Sequence, residues 1–485
     1  MKTKNLLNII ECEEYRGSED QVITDITQDS RRAAENTVFL AREGFNTDGH
    51  EFIDEAYRKG SRVFIVEKFP EVFKPDATYL KVNNSAAVLP AAAAAIHDNP
   101  QECLDLYGVT GTNGKTTTCY ILYNLLNSLG YKTGLIGTIK ADLGDKTLKP
   151  SRTTPEASEI YRYLAHMRDA GCEKAVMEVS SHALKLNRIK GLEFTGVIFT
   201  NISQDHLDFH KNMDDYLNSK LSLFEQLEKD EGIGLFNKDD EMIYSVFQEA
   251  SPEIYSFSVN CESDFQAKNI QLSADKSLFE LKDKKIEFPM PGRFNIYNAV
   301  SSLGLLFLQG FSLEVLSDHL AEFSGVPGRL EKITSSKNFT VLVDYAHTPA
   351  GLKNVLQSVS ELKYNKLRVV FGCGGDRDKD KRPKMGRAAL SYADDVIITT
   401  DNPRSEDPQD IINDITAGIN FRRYEANWEI IVKRERAIFQ AISRANVDDI
   451  VIIFGKGHET TQDFGDKVIE FDDREKAIKA IKAKD

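Results

Sequence analysis

Residues 104–117 read LDLYGVTGTNGKTT, and this stretch decides the fold. Residues 104–110 predict a short β-strand. After the glycine-rich loop, apolar residues recur at helical spacing from Ile121 to Leu129, and Gly130 supplies a stop. A strand, a glycine loop and a helix in succession are the context of a phosphate-binding loop in an α/β domain.

The loop itself has the chemistry of a nucleotide site. Glycines let backbone amides turn toward a phosphate, and the following helix adds its positive dipole end. Lys115 is predicted to reach the β- and γ-phosphates, and the Thr116 hydroxyl to bind Mg²⁺. Two residues separate Gly111 from Gly114 instead of the usual four. A glycine turn with a chance Lys-Thr is the alternative, but the flanking strand and helix favour an ATP site formed by Gly111, Thr112, Asn113, Gly114, Lys115, Thr116 and Thr117.

Polar side chains also follow two further predicted strands, residues 175–177 and 197–200. Ligands gather at the carboxyl ends of strands in a doubly wound sheet. We therefore predict that Glu178 and His206 hold a metal ion near the γ-phosphate. The alternative is that Glu178 caps a loop and that His206 is an ordinary polar residue.

Lys220 lies on the apolar side of a segment, residues 213–227, that is helical in pattern. It is three or four residues from Tyr216, Leu217 and Phe224, so its side chain is predicted to point inward. An inward ammonium needs a partner or a modification, because an unpaired buried charge is costly. The alternative is a lysine that snorkels at the rim of the apolar face.

The C-terminal third begins a new βα series, with strands predicted at residues 341–343, 367–371, 396–399 and 450–454. Asp, Arg and Glu side chains follow these strands beside glycines, a pattern that fits a crevice for a zwitterionic small molecule. Plain Rossmann-like turns are the alternative, and a dinucleotide fingerprint is not cleanly present. In the N-terminal hundred residues, the polar clusters 29–32 and 48–50 are either caps and turns or binding loops.

Composition limits the class of protein. A formal net charge of −14 argues against a general nucleic-acid binder, and 41% hydrophobic with 28% charged residues is typical of a globular chain. The apolar run 6–10 is too short for a signal peptide, and the alanine-rich run 86–96 is too short to span a bilayer. Six scattered cysteines without a CxxC pair predict reduced thiols. We expect a soluble, cytoplasmic, monomeric protein without a nucleic-acid partner.

Motifs spread over nearly the whole chain carry a family resemblance. They are TGTNGKTT (110–117), TTP (153–155), MEVSSHAL (177–184), FTNISQDHLDFH (199–210), GRFNIYN (292–298), VPGRLE (326–331), DYAHTP (344–349), GCGGDRDKDKRP (372–383), DNPR (401–404) and GKGHE (455–459). In this order they resemble the Mur ligases of peptidoglycan synthesis. The family's shortened glycine loop also matches the spacing between Gly111 and Gly114.

The resemblance implies an α/β protein with the three-domain Mur ligase architecture. Residues 1–100 would bind the UDP end of the substrate. Residues 101–329 would form a central P-loop ATPase domain with a mostly parallel sheet, and residues 330–485 a Rossmann-like domain that binds an amino acid.

The resemblance also implies residue roles. Metal contacts, with Mg²⁺ as the cofactor, would come from Thr116, Glu178, His206 and a carbamylated Lys220. These groups and Lys115 would form the catalytic set. Further ATP contacts would come from Asn295, Asn298, Arg329, Asp344 and His347. The UDP-substrate would contact Ser30, Arg31, Thr153, Thr154, Ser180 and Arg188, whereas Leu186 stands where many relatives have glutamine. The amino-acid site would comprise Arg377, Asp401, Asn402, Arg404, Gly455 and Glu459.

The resemblance implies an ATP-dependent amide ligase that acts through an acyl phosphate. Family members with DNPR add meso-2,6-diaminopimelate to UDP-N-acetylmuramoyl-L-alanyl-D-glutamate, whereas lysine-adding members usually differ at the arginine. Physical reasoning agrees, because lysine lacks the distal carboxylate and would leave Arg404 and Arg377 unpaired. The alternatives are a lysine-adding member, another Mur or folylpolyglutamate-type ligase, and a nucleotide-driven binding switch that makes no bond.

Overall fold

A computed structural model describes residues 1–44, 47–248, 253–333, 338–417, 419–420 and 423–484. The helices are α1 Thr3–Leu7, α2 Ile53–Arg58, α3 Ser85–Ile96, α4 Lys115–Ser128, α5 Ala157–Asp169, α6 Ser181–Lys185, α7 Met213–Leu221, α8 Glu241–Phe247, α9 Arg293–Leu308, α10 Leu313–Ala321, α11 Pro349–Ser360, α12 Lys381–Tyr392, α13 Pro408–Thr416, α14 Arg434–Ser443 and α15 Asp473–Lys482. Short 3₁₀ helices cover Ser30–Arg32, Gly49–Phe52, Pro100–Cys103 and Phe224–Gln226.

Within the described residues, the strands belong to five sheets. They are β1 Glu14–Arg16, β2 Asp25–Thr27, β3 Thr37–Leu40, β4 Val63–Val66, β5 Thr78–Lys81, β6 Asp105–Thr110, β7 Thr133–Ile136, β8 Ala141–Asp142, β9 Thr147–Leu148, β10 Lys174–Glu178, β11 Gly196–Phe199, β12 Ile233–Asn237, β13 Ile254–Ser258, β14 Phe265–Gln266, β15 Lys268–Leu272, β16 Ser277–Leu281, β17 Lys284–Phe288, β18 Glu331–Ile333, β19 Thr340–Asp344, β20 Leu367–Phe371, β21 Asp395–Ile398, β22 Asn427–Ile430, β23 Ile450–Phe454, β24 Thr461–Asp463 and β25 Val468–Glu470.

The chain forms two compact units. The first comprises Met1–Phe265 with Ser301–Phe311, and the second comprises Gln266–Val300 with Ser312–Asp485. Most strand pairs in the large sheets are parallel, which confirms the predicted α/β class. The domain limits at residues 100 and 329 stay a prediction.

The first unit contains two sheets that share one apolar core. The N-terminal sheet has the order β1-β5-β4-β3-β2, in which only β1 is antiparallel. Ile26 and Leu89 of this region belong to the same buried cluster as Leu164 of α5. An ion pair of 3.0 Å between Arg162 and Asp25 reinforces this packing.

The larger sheet of this unit positions the phosphate loop. Its order is β14-β13-β12-β11-β6-β10-β7-β8-β9, and the strands from β13 to β7 run parallel. Strands β6, β10 and β11 are those predicted around the loop, and β6 lies between the other two. Their carboxyl ends therefore lie on one side of the sheet; Gly111 and Thr200 directly follow β6 and β11, and Glu178 is the last residue of β10.

The helix predicted over residues 213–227 is shorter than expected, because α7 ends at Leu221. A separate 3₁₀ turn, Phe224–Gln226, follows it. The backbone then becomes extended and pairs with Phe194, which donates its amide to the oxygen of Gln226 at 2.8 Å. This long-range pairing ends the helix, but Lys220 remains within α7 and is buried as predicted.

The second unit contains the other parallel sheet, of order β18-β19-β23-β20-β21-β22, in which only β18 is antiparallel. Strands β19, β20, β21 and β23 are the four predicted in the C-terminal third. A three-stranded antiparallel sheet, β15-β16-β17, and the hairpin β24-β25 complete this unit. All six cysteines are free thiols. In the described part of the chain, no helix has the length and apolarity to cross a membrane.

Candidate active site

The phosphate loop joins β6 to α4 through a backbone that requires glycine. Gly111 and Gly114 have φ angles of 146° and 88°, a region that side chains disfavour. A Cβ at position 111 would also overlap the hydroxyl of Thr200. That hydroxyl donates to the backbone oxygen of Asn113 at 2.6 Å, and the Asn201 side chain accepts the Asn113 amide at 3.0 Å. The end of β11 therefore holds the loop in shape.

Lys115 folds back over its own loop. Its Nζ donates to the backbone oxygens of Gly111 at 2.8 Å and Thr112 at 3.0 Å. Lys115 therefore lies against the backbone of the predicted phosphate loop, and its contact with phosphate stays a prediction.

Glu178 is held at the end of β10 by three hydrogen bonds. Its Oε2 accepts from the Thr116 hydroxyl at 2.9 Å. Thr138 donates its amide to Oε1 at 2.7 Å and its hydroxyl to Oε2 at 2.9 Å. A Cβ at Gly137 would lie 2.5 Å from Oε1, so the carboxylate needs a glycine there. Sequence reasoning missed Thr138; the Gly-Thr pair directly after β7 was the available signal.

Lys220 is buried beside the same loop. Only 1% of the residue is exposed, and its Nζ donates to the Gly111 oxygen at 2.8 Å and lies 4.6 Å from the Tyr216 ring centroid. Burial, followed by repulsion from Lys115, lowers the pKa of Lys220 well below its usual value. A lowered pKa favours the neutral amine, which is the form that reacts with carbon dioxide to give a carbamate.

The predicted metal ligands lie in two pairs. Thr116 and Glu178 are in direct contact, whereas Lys220 and His206 both lie beside Tyr216, whose ring centroid is 6.2 Å from that of His206. Within the described ranges, no three His, Cys, Asp or Glu residues cluster as a metal cage. The hydroxyl and carboxylate still fit Mg²⁺, which binds through one or two carboxylates, substrate phosphates and waters. The unmodified Lys220 does not fit as a ligand, but its carbamate would supply oxygens.

Four of the six residues predicted to contact the UDP-substrate lie around Glu178 and Thr138. Thr154 donates its hydroxyl to the Glu178 backbone oxygen at 2.7 Å and accepts the Ser180 amide at 3.0 Å. Arg188 donates to the Thr154 oxygen at 3.1 Å. The Thr153 hydroxyl lies 3.1 Å from that of Thr138. The structure therefore brings these four predicted residues together.

Ser30 and Arg31 line a separate cleft of about 940 Å³ in the first unit. Asp29 caps the 3₁₀ turn that carries them, as the cap alternative predicted. Ser30 donates to Glu55 at 2.9 Å, and Arg31 pairs with Asp29 at 2.8 Å. Further cationic residues lining the cleft are Arg32, Arg42 and Arg152. Each of these three arginines pairs with a carboxylate that also lines the cleft, Glu159 for Arg32 and Glu156 for the other two, so the lining is balanced in charge.

In the second unit, residues predicted to contact ATP gather at the end of β19. The Asp344 carboxylate accepts the amides of Leu330 and Ala346, both at 2.8 Å, and burial raises its pKa despite the nearby Arg329. The Arg329 guanidinium lies 4.8 Å from the Tyr345 ring centroid. His347 Nδ1 lies 3.0 Å from the Tyr345 backbone oxygen.

Asn295 and Asn298 lie on the first turns of α9 and are both buried. Asn298 donates its amide to the side-chain oxygen of Asn295 at 3.2 Å, and Asn295 donates to the Pro291 oxygen at 2.8 Å. The two predicted residues therefore form one buried amide pair.

The residues predicted for the amino-acid site meet at the ends of β20, β21 and β23. Arg404 has a φ of 52°, and its Nη1 donates to the Gly375 oxygen at 2.6 Å. Arg377 lies two residues after Gly375 and is exposed. The two predicted arginines therefore lie on adjacent loops, Arg377 on loop 372–377 and Arg404 on loop 401–406.

The other side of this site contains a polar network around Asn402. Its side chain accepts from Lys456 Nζ and donates to Glu459, both at 2.9 Å. Lys456 also pairs with Glu459 at 2.9 Å and is fully buried. Asp401 is buried beside Gly455. Sequence reasoning assigned no role to Lys456, although it lies within the quoted motif GKGHE.

Comparisons with known proteins find relatives over nearly the whole chain. Three family models match: Mur ligase family, catalytic domain, at residues 22–97; Mur ligase middle domain at 109–306; and Mur ligase, glutamate ligase domain, at 328–457. The chain is 42% identical over 490 residues to the UDP-N-acetylmuramoyl-L-alanyl-D-glutamate–2,6-diaminopimelate ligase of Clostridium tetani, with 99% of each chain covered. It is 40% identical over 488 residues to ligase 1 of that name from Clostridium acetobutylicum, again with 99% of each covered.

A solved structure of a UDP-N-acetylmuramoyl-L-alanyl-D-glutamate–2,6-diaminopimelate ligase is similar over 100% of this chain and 99% of its own. Its TM-score is 0.70, and its sequence is 30% identical. A MurF structure from Acinetobacter baumannii shares the fold at 19% identity, with a TM-score of 0.66, 99% of this chain and 98% of its own chain being covered.

Proposed function

The chain belongs to the Mur ligase family, and on this premise we propose that it adds meso-2,6-diaminopimelate to the D-glutamate γ-carboxylate of UDP-N-acetylmuramoyl-L-alanyl-D-glutamate. The reaction consumes ATP, releases ADP and phosphate, and supplies a peptidoglycan precursor. The observation that carries the proposal is the phosphate loop, in which Lys115 covers the loop carbonyls and Thr116 contacts Glu178. The named relatives supply the identity of the two substrates.

The first chemical step joins two anions. The γ-carboxylate attacks the γ-phosphorus, ADP leaves, and a glutamyl acyl phosphate forms. Lys115 exchanges its two backbone acceptors for phosphate oxygens and so stabilises the charge that develops during transfer. Mg²⁺ bound through Thr116, Glu178, His206 and the Lys220 carbamate would screen the repulsion between carboxylate and phosphate. Thr138 keeps the Glu178 carboxylate oriented for this role.

The second step forms the amide bond. The amine of diaminopimelate attacks the acyl carbon, and phosphate leaves from the tetrahedral intermediate. Arg404 and Arg377 pair with the distal carboxylate, and Asp401, Asn402 and Glu459 lie around the distal amino end. Adenosine contacts fall to Asn295, Asn298, Asp344 and His347, with Arg329 near the phosphates. We further propose that the enzyme acts in the cytoplasm as a monomer.

One assay tests the function. Purified protein is supplied with ATP, Mg²⁺ and the UDP-dipeptide, and with either meso-diaminopimelate or L-lysine. We expect phosphate release and amide product only when the UDP-dipeptide and diaminopimelate are both present. Efficient use of lysine alone would make this a lysine-adding ligase. ATP hydrolysis indifferent to both substrates would instead indicate a binding switch.

Activity should be lost when Lys220 is replaced by a residue that cannot form a carbamate. We expect Lys220→Arg to lower kcat by about 10²-fold, because arginine cannot form a carbamate and so supplies no oxygens to the metal. Wild-type activity should also fall after removal of carbon dioxide and return with added bicarbonate. Both are measured by coupled ADP release.

Lys174→Arg is the matched control, because Lys174 is a buried lysine at the opposite end of the same sheet and pairs with Asp105. We expect that variant to retain activity. Equal activity of Lys220→Arg and Lys174→Arg, or bicarbonate stimulation that persists in Lys220→Arg, would contradict carbamylation of Lys220.

A further inference from the structure

Arg382, on the first turn of α12, is a fully buried arginine that has no role in the proposed reaction as described so far. Its Nη1 donates to Glu406 at 2.9 Å and to Asp414 at 2.7 Å. Its Nη2 donates to the other Glu406 oxygen at 2.8 Å and to the Gly374 backbone oxygen at 3.3 Å. The two-pronged contact with Glu406 is the geometry that gives arginine–carboxylate pairs their directional strength.

Glu406 extends this contact to a second loop. Its Oε1 accepts the backbone amide of Asp376 at 2.6 Å. The neighbouring Ser405 donates its hydroxyl to the Asp376 carboxylate at 2.5 Å. Together with the bond from Arg404 to Gly375, these contacts tie loop 401–406 to loop 372–377.

The ion pair between Arg382 and Glu406, here called the bridge, stays charged over the physiological pH range. Hydrogen bonding from Arg382, foremost among several causes, lowers the pKa of Glu406 to about 2. Since the arginine is always protonated, pH does not loosen the contact under ordinary assay conditions. The contacts of Arg382 with Glu406 and of Glu406 with Asp376 are therefore in place without a substrate.

We propose that Arg382 is a positioning residue for diaminopimelate, setting through Glu406 the separation of the Arg377 and Arg404 guanidinium groups. The inference rests on the proposed function, because those two arginines are its carboxylate contacts. Arg382 itself is buried behind the loops, so it acts on the substrate through them. The specificity of the site for a second carboxylate then depends on a residue outside the binding surface.

The same unit contains a second buried arginine that serves as a matched control. Arg368 on β20 is also buried and pairs with two carboxylates, Asp395 and Asp449, the latter at 3.0 Å. Asp395 and Asp449 lie where β21 and β23 begin. Loops 372–377 and 401–406, by contrast, follow the carboxyl ends of their strands. A substitution of Arg368 therefore removes a comparable buried ion pair at the opposite end of the strands.

The test compares Arg382→Lys with Arg368→Lys in the full-length enzyme. Lysine keeps the charge but cannot form the two-pronged contact. For Arg382→Lys we expect kcat/KM for diaminopimelate to fall about 10- to 100-fold, mostly through KM, since small misplacements of binding groups have effects of this size. KM for ATP and for the UDP-dipeptide should stay within about twofold of the wild-type values. Arg368→Lys should lower the melting temperature with no change in KM for diaminopimelate.

Glu406→Gln provides a second variant should Arg382→Lys fail to fold, because it keeps the shape of the side chain and weakens the bridge. It is expected to raise KM for diaminopimelate selectively as well. Unchanged KM for diaminopimelate, or an equal rise for all three substrates, in whichever variant folds would overturn the positioning role. Wild-type enzyme that fails to ligate diaminopimelate would instead overturn the proposed function, and the role of Arg382 with it.

Discussion

Lys115→Ala is expected to lower kcat for ADP release and amide formation by about 10²- to 10³-fold, the loss that follows removal of a group stabilising transition-state charge. The Lys115 Nζ donates to the backbone oxygens of Gly111 and Thr112, and the residue itself is only partly buried. In the variant, water can donate to these two backbone oxygens in place of the lysine. The fold should therefore persist, with a melting temperature close to the wild-type value.

The measurement is steady-state ligation with saturating substrates, accompanied by a thermal melt of each protein. Lys185→Ala is the control, because it removes a cation of the same unit that pairs with Asp215 at the surface. That variant should retain nearly full activity. If Lys115→Ala ligates at the wild-type rate, the loop is not the ATP site.

Local patterns made the core of this site predictable. Strand, loop and helix around residues 104–128 follow one another in the sequence, so apolar periodicity and two glycines define them without distant partners. The inward position of Lys220 also followed from helical spacing alone. Glu178 could be placed because parallel strands end at one edge, a rule that holds before the strand order is known.

Features set by distant partners were not predictable. The end of α7 at Leu221 depends on backbone pairing with Phe194, and nothing within residues 213–227 signals it. Thr138 contacts Glu178 across 40 residues, and Lys456 contacts Asn402 across 54. A single sequence carries the residue types of such contacts but not their pairing, so these supporting residues emerged only from the structure.

Arg404→Asn is expected to lower kcat/KM for diaminopimelate by about 10²- to 10³-fold, because truncating one partner of a hydrogen-bonded charge pair leaves the other unpaired. Asparagine is chosen because position 404 has a φ of 52°, which asparagine tolerates better than most residues. The substrate's distal carboxylate would lose its guanidinium partner, whereas lysine has no such group to lose. Selectivity for diaminopimelate over lysine should therefore fall in parallel with kcat/KM.

The selectivity ratio separates specific recognition from general damage to the site. Misfolding or a displaced loop would depress turnover of both amines together, but loss of a carboxylate contact depresses only one. Arg387→Ala supplies the control, since Arg387 is an exposed arginine on α12 of the same unit. It should leave both kcat/KM values unchanged. A variant at 404 that keeps the wild-type preference for diaminopimelate would show that Arg404 does not recognise the distal carboxylate.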